Sequence, residues 1–365
     1  MTKNFLYISK NAFITKDMGG REFLSKNNFH NLKKIYTKNF FYFKLENRKI
    51  VGLINFFKAF LGYIDGINET SLIKIEKLIK LKKIDIVFLD GSNLGACAKS
   101  IKKKFPNIFV IIYFHNVEVI FFYDSMVTEK TIKSFFIFLI NYYVEKESIK
   151  YGDRLISLTK HDSRKMSCLY KRCADTVIPL SMKSKKIKPI KVQHVKNNFL
   201  IFVGGNFYGN LKGINWFVKN ILPFLNCNLL IVGKGFSKSN FFLTEKIRFV
   251  GKVKNLEKWY NKSFAAIAPI FLGSGMKTKV AESLMHGKPI FGTSKAFEGY
   301  EDLKKYKNIA IKCDNSKEFI YSINKKLNQK KNMYDKKAII LFKEFYSSES
   351  NFKHFLNFFI KNKLI

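Results

Sequence analysis

Acidic residues are scarce in this chain of 365 residues. It has 66 Lys and Arg against 27 Asp and Glu, which gives a formal net charge of +39. A charge of this size attracts nucleic acid, anionic lipid surfaces or phosphorylated substrates. The lysines are spread over the whole length together with abundant Asn, Ile and Phe, a pattern that a low-GC coding bias also produces. The composition therefore predicts a general positive field but no particular partner.

Cysteine and long apolar runs are also limited. The five cysteines are scattered, odd in number and without zinc-type spacing, so we expect reduced thiols. No apolar run reaches the roughly 20 residues of a membrane span, and the first residues lack the apolar region of a signal peptide. These absences predict a cytoplasmic protein. The apolar stretch 51–64 fits either a core helix or a helix on a membrane interface, and core burial is favoured.

The common nucleotide-binding and metal-binding motifs are missing. Neither GxxxxGK[ST] nor GxGxxG occurs, and no adjacent pair of acids of the DxD type suggests a divalent metal. Short apolar runs instead alternate with helical segments, which is typical of parallel sheets with crossover helices. The predicted strands are 5–9, 84–89, 108–114, 154–158, 199–203, 228–232, 247–250, 264–269, 289–292 and 308–312.

A basic, proline-interrupted run divides these strands into two series. It predicts a first domain at 1–181, a linker at 182–198, a second domain at 199–346 and a C-terminal helix at 347–365 that can pack back on the first domain. The predicted fold class is α/β, with two Rossmann-like domains whose parallel sheets face a central cleft. A cleft of this kind suits a ligand held by one half and a second substrate held by the other.

The segment 273–287 carries the most specific chemistry. Two glycines precede a helix, Lys277 and Lys279 lie in its first turn, Glu282 follows, and Gly287 provides a stop signal. A helix start offers unpaired N–H groups and the positive end of the helix dipole, which suit a phosphate group. The alternative is a solvated helix face on which Lys279 pairs with Glu282.

Four stretches of the second half occur together, at 202–217, 229–235, 247–253 and 273–299. In this order they resemble the nucleotide-sugar-binding domain of GT-B glycosyltransferases, specifically the retaining family 4 enzymes that build surface polysaccharide. The first half resembles the acceptor domain of that family more loosely, through Gly19-Gly20 after the first strand and 115–118 after the third.

The resemblance implies roles for individual residues. Glu282 corresponds to the acid that holds the ribose hydroxyls, Lys277 to the base on the diphosphate, and Ser274 stands where the first acid of the family is expected. Gly20 corresponds to the glycine whose backbone approaches the donor phosphates, and Lys212 to a second phosphate-binding base. Ser274 is also assigned to the donor, and the remaining donor residues are Gly205, Gly233, Val253, Gly275, Met276 and Thr278.

The residues that follow the strand 108–114 belong to the first domain and are assigned to the acceptor side of the reaction. His115 is a candidate catalytic residue together with Lys277 and Glu282, although a lone histidine at this place is more often a hydrogen-bonded structural residue. Asn116 and Glu118 are candidate acceptor contacts, and Glu118 could orient or deprotonate an acceptor hydroxyl. Glu145 and Glu147 lie two residues apart on a predicted helix, and we expect them on a solvated surface.

The resemblance implies metal-independent glycosyl transfer from a nucleoside-diphosphate sugar to a glycan or lipid-linked hydroxyl, with retention. The nucleotide sugar is a substrate, so we predict no cofactor. Further expectations are peripheral contact with anionic lipid on the inner face of the plasma membrane and no nucleic-acid partner. The alternatives are a nucleotide-sugar epimerase of the same architecture, a basic nucleic-acid-binding protein, and an inactive relative in which Ser274 marks lost activity.

Overall fold

The chain forms two compact units, each built on its own parallel sheet. The computed structural model describes residues 3–13, 20–46, 53–184, 199–236, 245–273, 275–329 and 334–365. Unit 1 consists of Met1–Ser181 with Ser348–Ile365, and unit 2 of Met182–Ser347. The predicted α/β class with two parallel sheets is confirmed. Most of the predicted linker, residues 185–198, lies outside the described residues.

Unit 1 contains a six-stranded sheet in the order β2-β1-β3-β4-β5-β6, in which all neighbours are parallel. Strands β1 and β3 are buried along their whole length and β4 along nearly all of it, which is why they appear in sequence as continuous apolar runs. Its strands are β1 (Phe5–Ser9), β2 (Phe40–Lys44), β3 (Ile86–Leu89), β4 (Phe109–Phe114), β5 (Arg154–Ser157) and β6 (Thr176–Val177). The sequence prediction missed β2 and β6, the two edge strands.

The helices of unit 1 begin and end at recognisable signals. Asn68 and Thr131 form capping boxes with Ser71 and Ser134 at two helix starts. The helices are α1 (Gly20–Tyr36), α2 (Leu53–Phe60), α3 (Glu69–Leu81), α4 (Gly95–Lys104), α5 (Glu118–Glu129), α6 (Ile132–Tyr151) and α7 (Lys160–Tyr170).

Unit 2 contains the second six-stranded parallel sheet, in the order β12-β11-β10-β7-β8-β9. Its strands are β7 (Phe199–Val203), β8 (Asn228–Val232), β9 (Ile247–Gly251), β10 (Ser263–Ala268), β11 (Ile290–Gly292) and β12 (Ala310–Lys312). Its helices are α8 (Tyr208–Asn220), α9 (Glu257–Lys262), α10 (Thr278–Met285), α11 (Ser316–Asn328) and α12 (Lys336–Leu341). Every strand predicted for this half is present, with bounds that differ by two residues at most.

The last helix, α13 (Ser348–Lys361), packs within unit 1. Asn31 of α1 donates from Nδ2 to Oδ1 of Asn351 at 2.8 Å, and both side chains are buried. The ring of Phe359 lies 5.9 Å from Phe5 and 5.3 Å from Tyr36. The C-terminal helix therefore completes the core of the N-terminal unit. None of the described helices is both long and apolar enough to span a bilayer.

Candidate functional site

Glycine turns line the carboxyl edge of the sheet in unit 2. Gly204 follows β7 and donates to the carbonyl of Val232 at 3.0 Å, while Gly233 follows β8 and donates to the carbonyl of Gly251 at 2.9 Å. A Cβ atom on Gly233 would lie 1.6 Å from the carbonyl oxygen of Gly204, so no side chain fits there. Because all strands are parallel, these turns lie at one edge, where open α/β sheets bind ligands.

The loop before α10 lies at the same edge. Gly273 and Gly275 have φ values of +96° and +71°, which L-residues with side chains rarely adopt. Lys277 is the N-cap residue of α10, and its side chain does not cap the helix. Its ammonium donates to the carbonyls of Gly275 at 2.6 Å and Gly273 at 3.3 Å, while the hydroxyl of Tyr300 donates to its backbone carbonyl at 2.8 Å. The helix start thus presents backbone N–H groups beside a cation.

Lys279 is buried in the first turn of α10, with 6% of its surface exposed. Its ammonium donates to Oδ1 of Asn210 at 2.8 Å and lies 4.0 Å from the centre of the Phe202 ring. Burial lowers the pKa of Lys279 from 10.5 to about 7, although the carboxylate of Glu282 acts in the opposite direction. The solvated helix face considered for Lys279 is therefore excluded.

Asn210 links three elements of this edge. It lies in α8, is 4% exposed, and donates from Nδ2 to the carbonyl of Gly205 at 2.8 Å while its Oδ1 accepts from Lys279. The turn after β7, the helix α8 and the start of α10 are thereby connected through one amide. Sequence reasoning missed Asn210, because an asparagine inside a helical pattern gives no local signal of such a role.

The other predicted donor residues differ in how far they take part in this arrangement. Gly205 is exposed, and a Cβ atom there would meet nothing within 4 Å. Lys212 is exposed on α8, and Glu282 is half-buried in α10.

Met276 is buried before α10, Thr278 opens that helix and is half-buried, and Val253 is half-buried after β9. Gly20 opens α1 of unit 1 and is exposed, whereas Gly19 and Ser274 lie outside the described residues.

The carboxyl edge of unit 1 carries a buried polar network. His115 follows β4, and its Nε2 lies 3.0 Å from Oδ1 of Asp90, which follows β3. Ser9, the last residue of β1, donates to Oδ2 of Asp90 at 2.8 Å. Burial alone would raise the pKa of Asp90, but the charge and hydrogen bond of His115 hold it below its ordinary value. An ionised Asp90 only accepts hydrogen bonds, so Nε2 of His115 carries a proton.

Nδ1 of His115 is buried and has no hydrogen-bond partner among the residues that the structure describes. His115 therefore combines the structural hydrogen bond expected of a lone histidine with a second ring nitrogen that is available for a ligand. Sequence reasoning missed Asp90, because an aspartate between an apolar strand and a glycine is typical of an ordinary turn.

The two glutamates beside this network are engaged by protein groups. Glu118 opens α5, is buried and forms an ion pair with Arg21. Glu145 is 1% exposed, accepts the backbone N–H of Glu118 at 2.8 Å and accepts the hydroxyl of Tyr170 at 2.7 Å. Burial raises the pKa of Glu145 to about 7. The solvated surface predicted for Glu145 is wrong, because α6 places this carboxyl at the start of α5.

Glu147 is half-buried and pairs with Lys99 at 2.9 Å, while Asn116 is half-buried between β4 and α5. Within the described ranges, no group of three or more His, Cys, Asp and Glu is arranged to hold a metal ion.

Comparison with known proteins relates both units to one fold. Residues 197–329 match the family model described as glycosyl transferases group 1. Sucrose-phosphate synthase from Thermosynechococcus elongatus superposes with a TM-score of 0.72 at 12% identity, over 98% of each chain. HepE from Anabaena in complex with UDP gives 0.69 at 12% identity, over 99% of this chain and 100% of HepE. The lipopolysaccharide outer core galactosyltransferase WaaB gives 0.64 at 13% identity, over 98% of this chain and 99% of WaaB.

No curated protein sequence matches the chain significantly. At identities of 11–13% the structural likeness establishes the fold, and it extends over nearly the whole chain. The family match covers the β7–β12 part of unit 2, which carries the glycine turns and α10. The chain therefore has the GT-B fold, and its residues 197–329 are similar to the glycosyl transferases group 1.

Proposed function

We propose that the protein is a glycosyltransferase that moves a sugar from a nucleoside-diphosphate donor to a hydroxyl of a glycan or lipid-linked acceptor. The observation that carries the proposal is the carboxyl edge of unit 2, where the close glycine turns, the uncapped start of α10 and two lysines meet. An arrangement of open backbone and cations suits a diphosphate better than it suits an uncharged ligand. The family match over the same residues supports it.

In this proposal the diphosphate lies at the start of α10. Lys277 exchanges the carbonyls of Gly273 and Gly275 for phosphate oxygens, since a charged acceptor makes the stronger hydrogen bond. A nearby anion favours the charged form of Lys279, whose pKa burial lowers to about 7. Donor binding near neutral pH is then accompanied by proton uptake.

The proposed chemistry follows from this charge arrangement. As the bond to the sugar breaks, negative charge grows on the leaving diphosphate, and preorganised cations and N–H groups stabilise it. We propose that Lys277 and the helix start supply this stabilisation without a metal, that Glu282 binds the ribose, and that transfer proceeds with retention. On unit 1 we assign His115, held by Asp90, as the catalytic candidate and Asn116 and Glu118 as acceptor contacts.

The donor is tested by thermal shift against a panel of nucleoside diphosphates and their sugars. Uridine compounds come first, because the HepE structures are complexes with UDP and with UDP-glucose. A ligand stabilises by RT ln(1 + [L]/Kd), so the preferred donor gives the largest rise in Tm. No rise with any member of the panel would contradict the proposal.

Variants then test the site by titration calorimetry with the best donor. We expect Glu282→Ala and Lys277→Ala each to weaken binding by about tenfold or more, the loss expected for a charge-assisted hydrogen bond. Lys317→Ala, an exposed lysine on α11, is the control and keeps the affinity of the wild type. Donor consumption without an acceptor would indicate an epimerase instead, and binding without transfer to any glycan or lipid-linked acceptor would indicate an inactive relative.

A further inference from the structure

Helix α2 presents apolar side chains on both of its faces. One face packs on α6, where the ring of Phe56 lies 5.4 Å from that of Phe136 and Ala59 is buried. The opposite face carries three large apolar side chains at helical spacing. They are Ile54 and Phe57 of α2 and Leu61, the residue that follows the helix, and they are 74%, 65% and 68% exposed. Core burial was favoured for the stretch 51–64, but its described part, residues 53–64, is only partly a core segment.

Helix α6 adds exposed apolar residues beside α2. Ile132, Phe135 and Tyr143 recur on one side of the helix and are 79%, 45% and 51% exposed. Single exposed apolar residues are ordinary, but a set of this size on two packed helices marks an interaction surface. We call these six residues the apolar row: Ile54, Phe57, Leu61, Ile132, Phe135 and Tyr143.

A basic groove adjoins the apolar row. It has a volume of about 890 Å³ and is lined by parts of α4, α6 and α7 together with the end of α2. Leu61 and Tyr143 belong to both the groove and the apolar row, so the two features are continuous. The cations that line the groove are Lys99, Lys146, Lys150, Lys171 and Arg172. Glu147 is the carboxylate among its described lining residues, and it pairs with Lys99 at 2.9 Å.

We propose that the apolar row and the basic groove together form a docking surface for a bilayer that contains anionic phospholipid. In this arrangement α2 lies along the membrane interface, the apolar row enters the boundary between head groups and acyl chains, and lysines of the groove contact lipid phosphates. A second copy of the chain would bring its own charge of +39 against the groove, which disfavours self-association. Nucleic acid would neutralise the lysines but would leave the aliphatic side chains of Ile54, Leu61 and Ile132 exposed to water.

The assignment deepens the proposed use of a lipid-linked acceptor by giving the protein a surface that reaches the lipid. It depends on unit 1 alone, whereas the proposed donor site is in unit 2. The test below contains neither donor nor acceptor. Its failure would therefore leave the donor proposal standing, and failure of the donor titrations would leave the surface standing.

The test is flotation of the full chain with vesicles of phosphatidylcholine alone and of phosphatidylcholine mixed equally with phosphatidylglycerol. We expect binding to the anionic vesicles only, falling with added salt. Phe57→Ser should weaken binding by about tenfold, because the apolar contact is lost. Lys146→Glu should weaken it by about tenfold or more, because it reverses one charge near an anionic surface.

Matched controls separate this surface from the general charge of the chain. Phe224 in unit 2 is 65% exposed, as is Phe57, so Phe224→Ser removes the same exposed side chain elsewhere. Lys317→Glu changes the net charge as Lys146→Glu does, and it lies on α11. Both controls should bind vesicles as the wild type does. Absence of binding to anionic vesicles would overturn the proposal. Equal losses of vesicle binding in Phe57→Ser and Phe224→Ser would overturn it as well. So would a dimer that forms through Phe57 and does not bind vesicles.

Discussion

The two units have the same sheet but different chemistry at the carboxyl edges of their strands. In unit 2 the edge consists of glycine turns, a helix start and the cations Lys277 and Lys279. In unit 1 the edge consists of buried side chains, with His115 and Asp90 in contact and Glu145 at the start of α5. One edge offers open backbone and positive charge, whereas the other holds a histidine and carboxyl groups within the protein.

The difference shows that strand topology decides where a ligand can bind and that local residues decide which ligand is suitable. Backbone N–H groups and lysines accommodate a phosphate without regard to the rest of the ligand. In a buried histidine such as His115, the proton on one ring nitrogen is fixed by a neighbouring group. Such a histidine accepts only a ligand whose position and hydrogen-bonding group match the other nitrogen. Because the contrast depends on burial as much as on residue type, substitutions that alter buried groups test it most directly.

The largest expected effect concerns the buried cation of unit 2. The pKa of Lys279 is about 7 in the folded chain and 10.5 as an ordinary lysine, so the unfolded chain binds more protons between these values. The free energy of unfolding should therefore rise with pH from about 7 to about 10.5, by about 5 kcal/mol from this group. Lys279→Met should remove this contribution and leave that of Lys288, whose pKa burial lowers to about 8. Above pH 9 the variant should lose stability, because burial raises the pKa of Cys227 to about 12 and that of Cys313 to about 11.

Urea denaturation followed by tryptophan fluorescence measures this effect in the correct unit. Both tryptophans, Trp216 and Trp259, are in unit 2. Lys317→Met, which removes an exposed lysine of the same unit, should keep the slope of the wild type. A Lys279→Met variant with an unchanged slope would show that Lys279 is not the group responsible.

The second prediction concerns the close approach of two turns in unit 2. Gly233→Ala places a methyl group 1.6 Å from the carbonyl oxygen of Gly204, so the turns must separate. We expect a loss of about 3 kcal/mol in unfolding free energy, at the upper end for overpacking, together with loss of nucleotide binding. Gly205→Ala is the matched control, since nothing lies within 4 Å of its added Cβ. Equal stability of the two variants, measured by tryptophan fluorescence in urea, would contradict the close approach.

The third prediction gives unit 1 the opposite pH dependence. Glu145 has a folded pKa of about 7 against an ordinary 4.5, so the folded chain binds more protons between these values. The free energy of unfolding should fall as pH rises through this window, by about 3 kcal/mol from this group. Glu145→Gln should remove the fall, whereas Glu129→Gln, an exposed change on α5, should leave it in place. Hydrogen exchange of the α5 and α6 amides, followed as a function of pH, measures the unfolding free energy within unit 1. If this free energy still falls with pH in Glu145→Gln, Glu145 is not the group responsible.

The smallest expected effect concerns Asp90. Asp90→Asn keeps the shape but removes the charge beside His115, and we expect a loss of about 2 kcal/mol because a buried charge-assisted hydrogen bond is replaced by a weaker neutral one. The Nε2 proton of His115 should also become less fixed, which histidine nitrogen NMR detects. Asp302→Asn, an exposed change, serves as the control. An unchanged proton position in Asp90→Asn would show that Asp90 does not orient the ring.

Much of the fold could be predicted because buried parallel strands are continuous apolar runs. Strands β1, β7 and β8 have the predicted bounds, and α10 ends before Gly287, whose φ of +64° fits the predicted stop. The edge strands β2 and β6 were missed, since β2 is only partly buried and β6 is two residues long. Strand β6 lacks the uninterrupted apolar run that marks the inner strands, whereas β2 contains one, Phe40–Phe43, that the sequence prediction did not use.

The polar residues of the candidate sites were harder to predict. Lys279, Asn210 and Asp90 act through burial and through contacts with residues distant in sequence, and local spacing contains neither. The surface prediction for Glu145 failed for the same reason. The glycine turns and the start of α10 were predictable, because glycine position and helix signals are local properties.

The packing of α13 makes unit 1 discontinuous along the chain. Phe355 and Phe359 are fully buried among residues from the first strands, whereas all of unit 2 is translated between the two parts of this core. Unit 1 therefore cannot complete its core until the end of the chain has left the ribosome, although its strands are synthesised first. Removal of the final turns of the chain would damage the N-terminal core, far away in sequence, and would spare the unit that directly precedes the deletion.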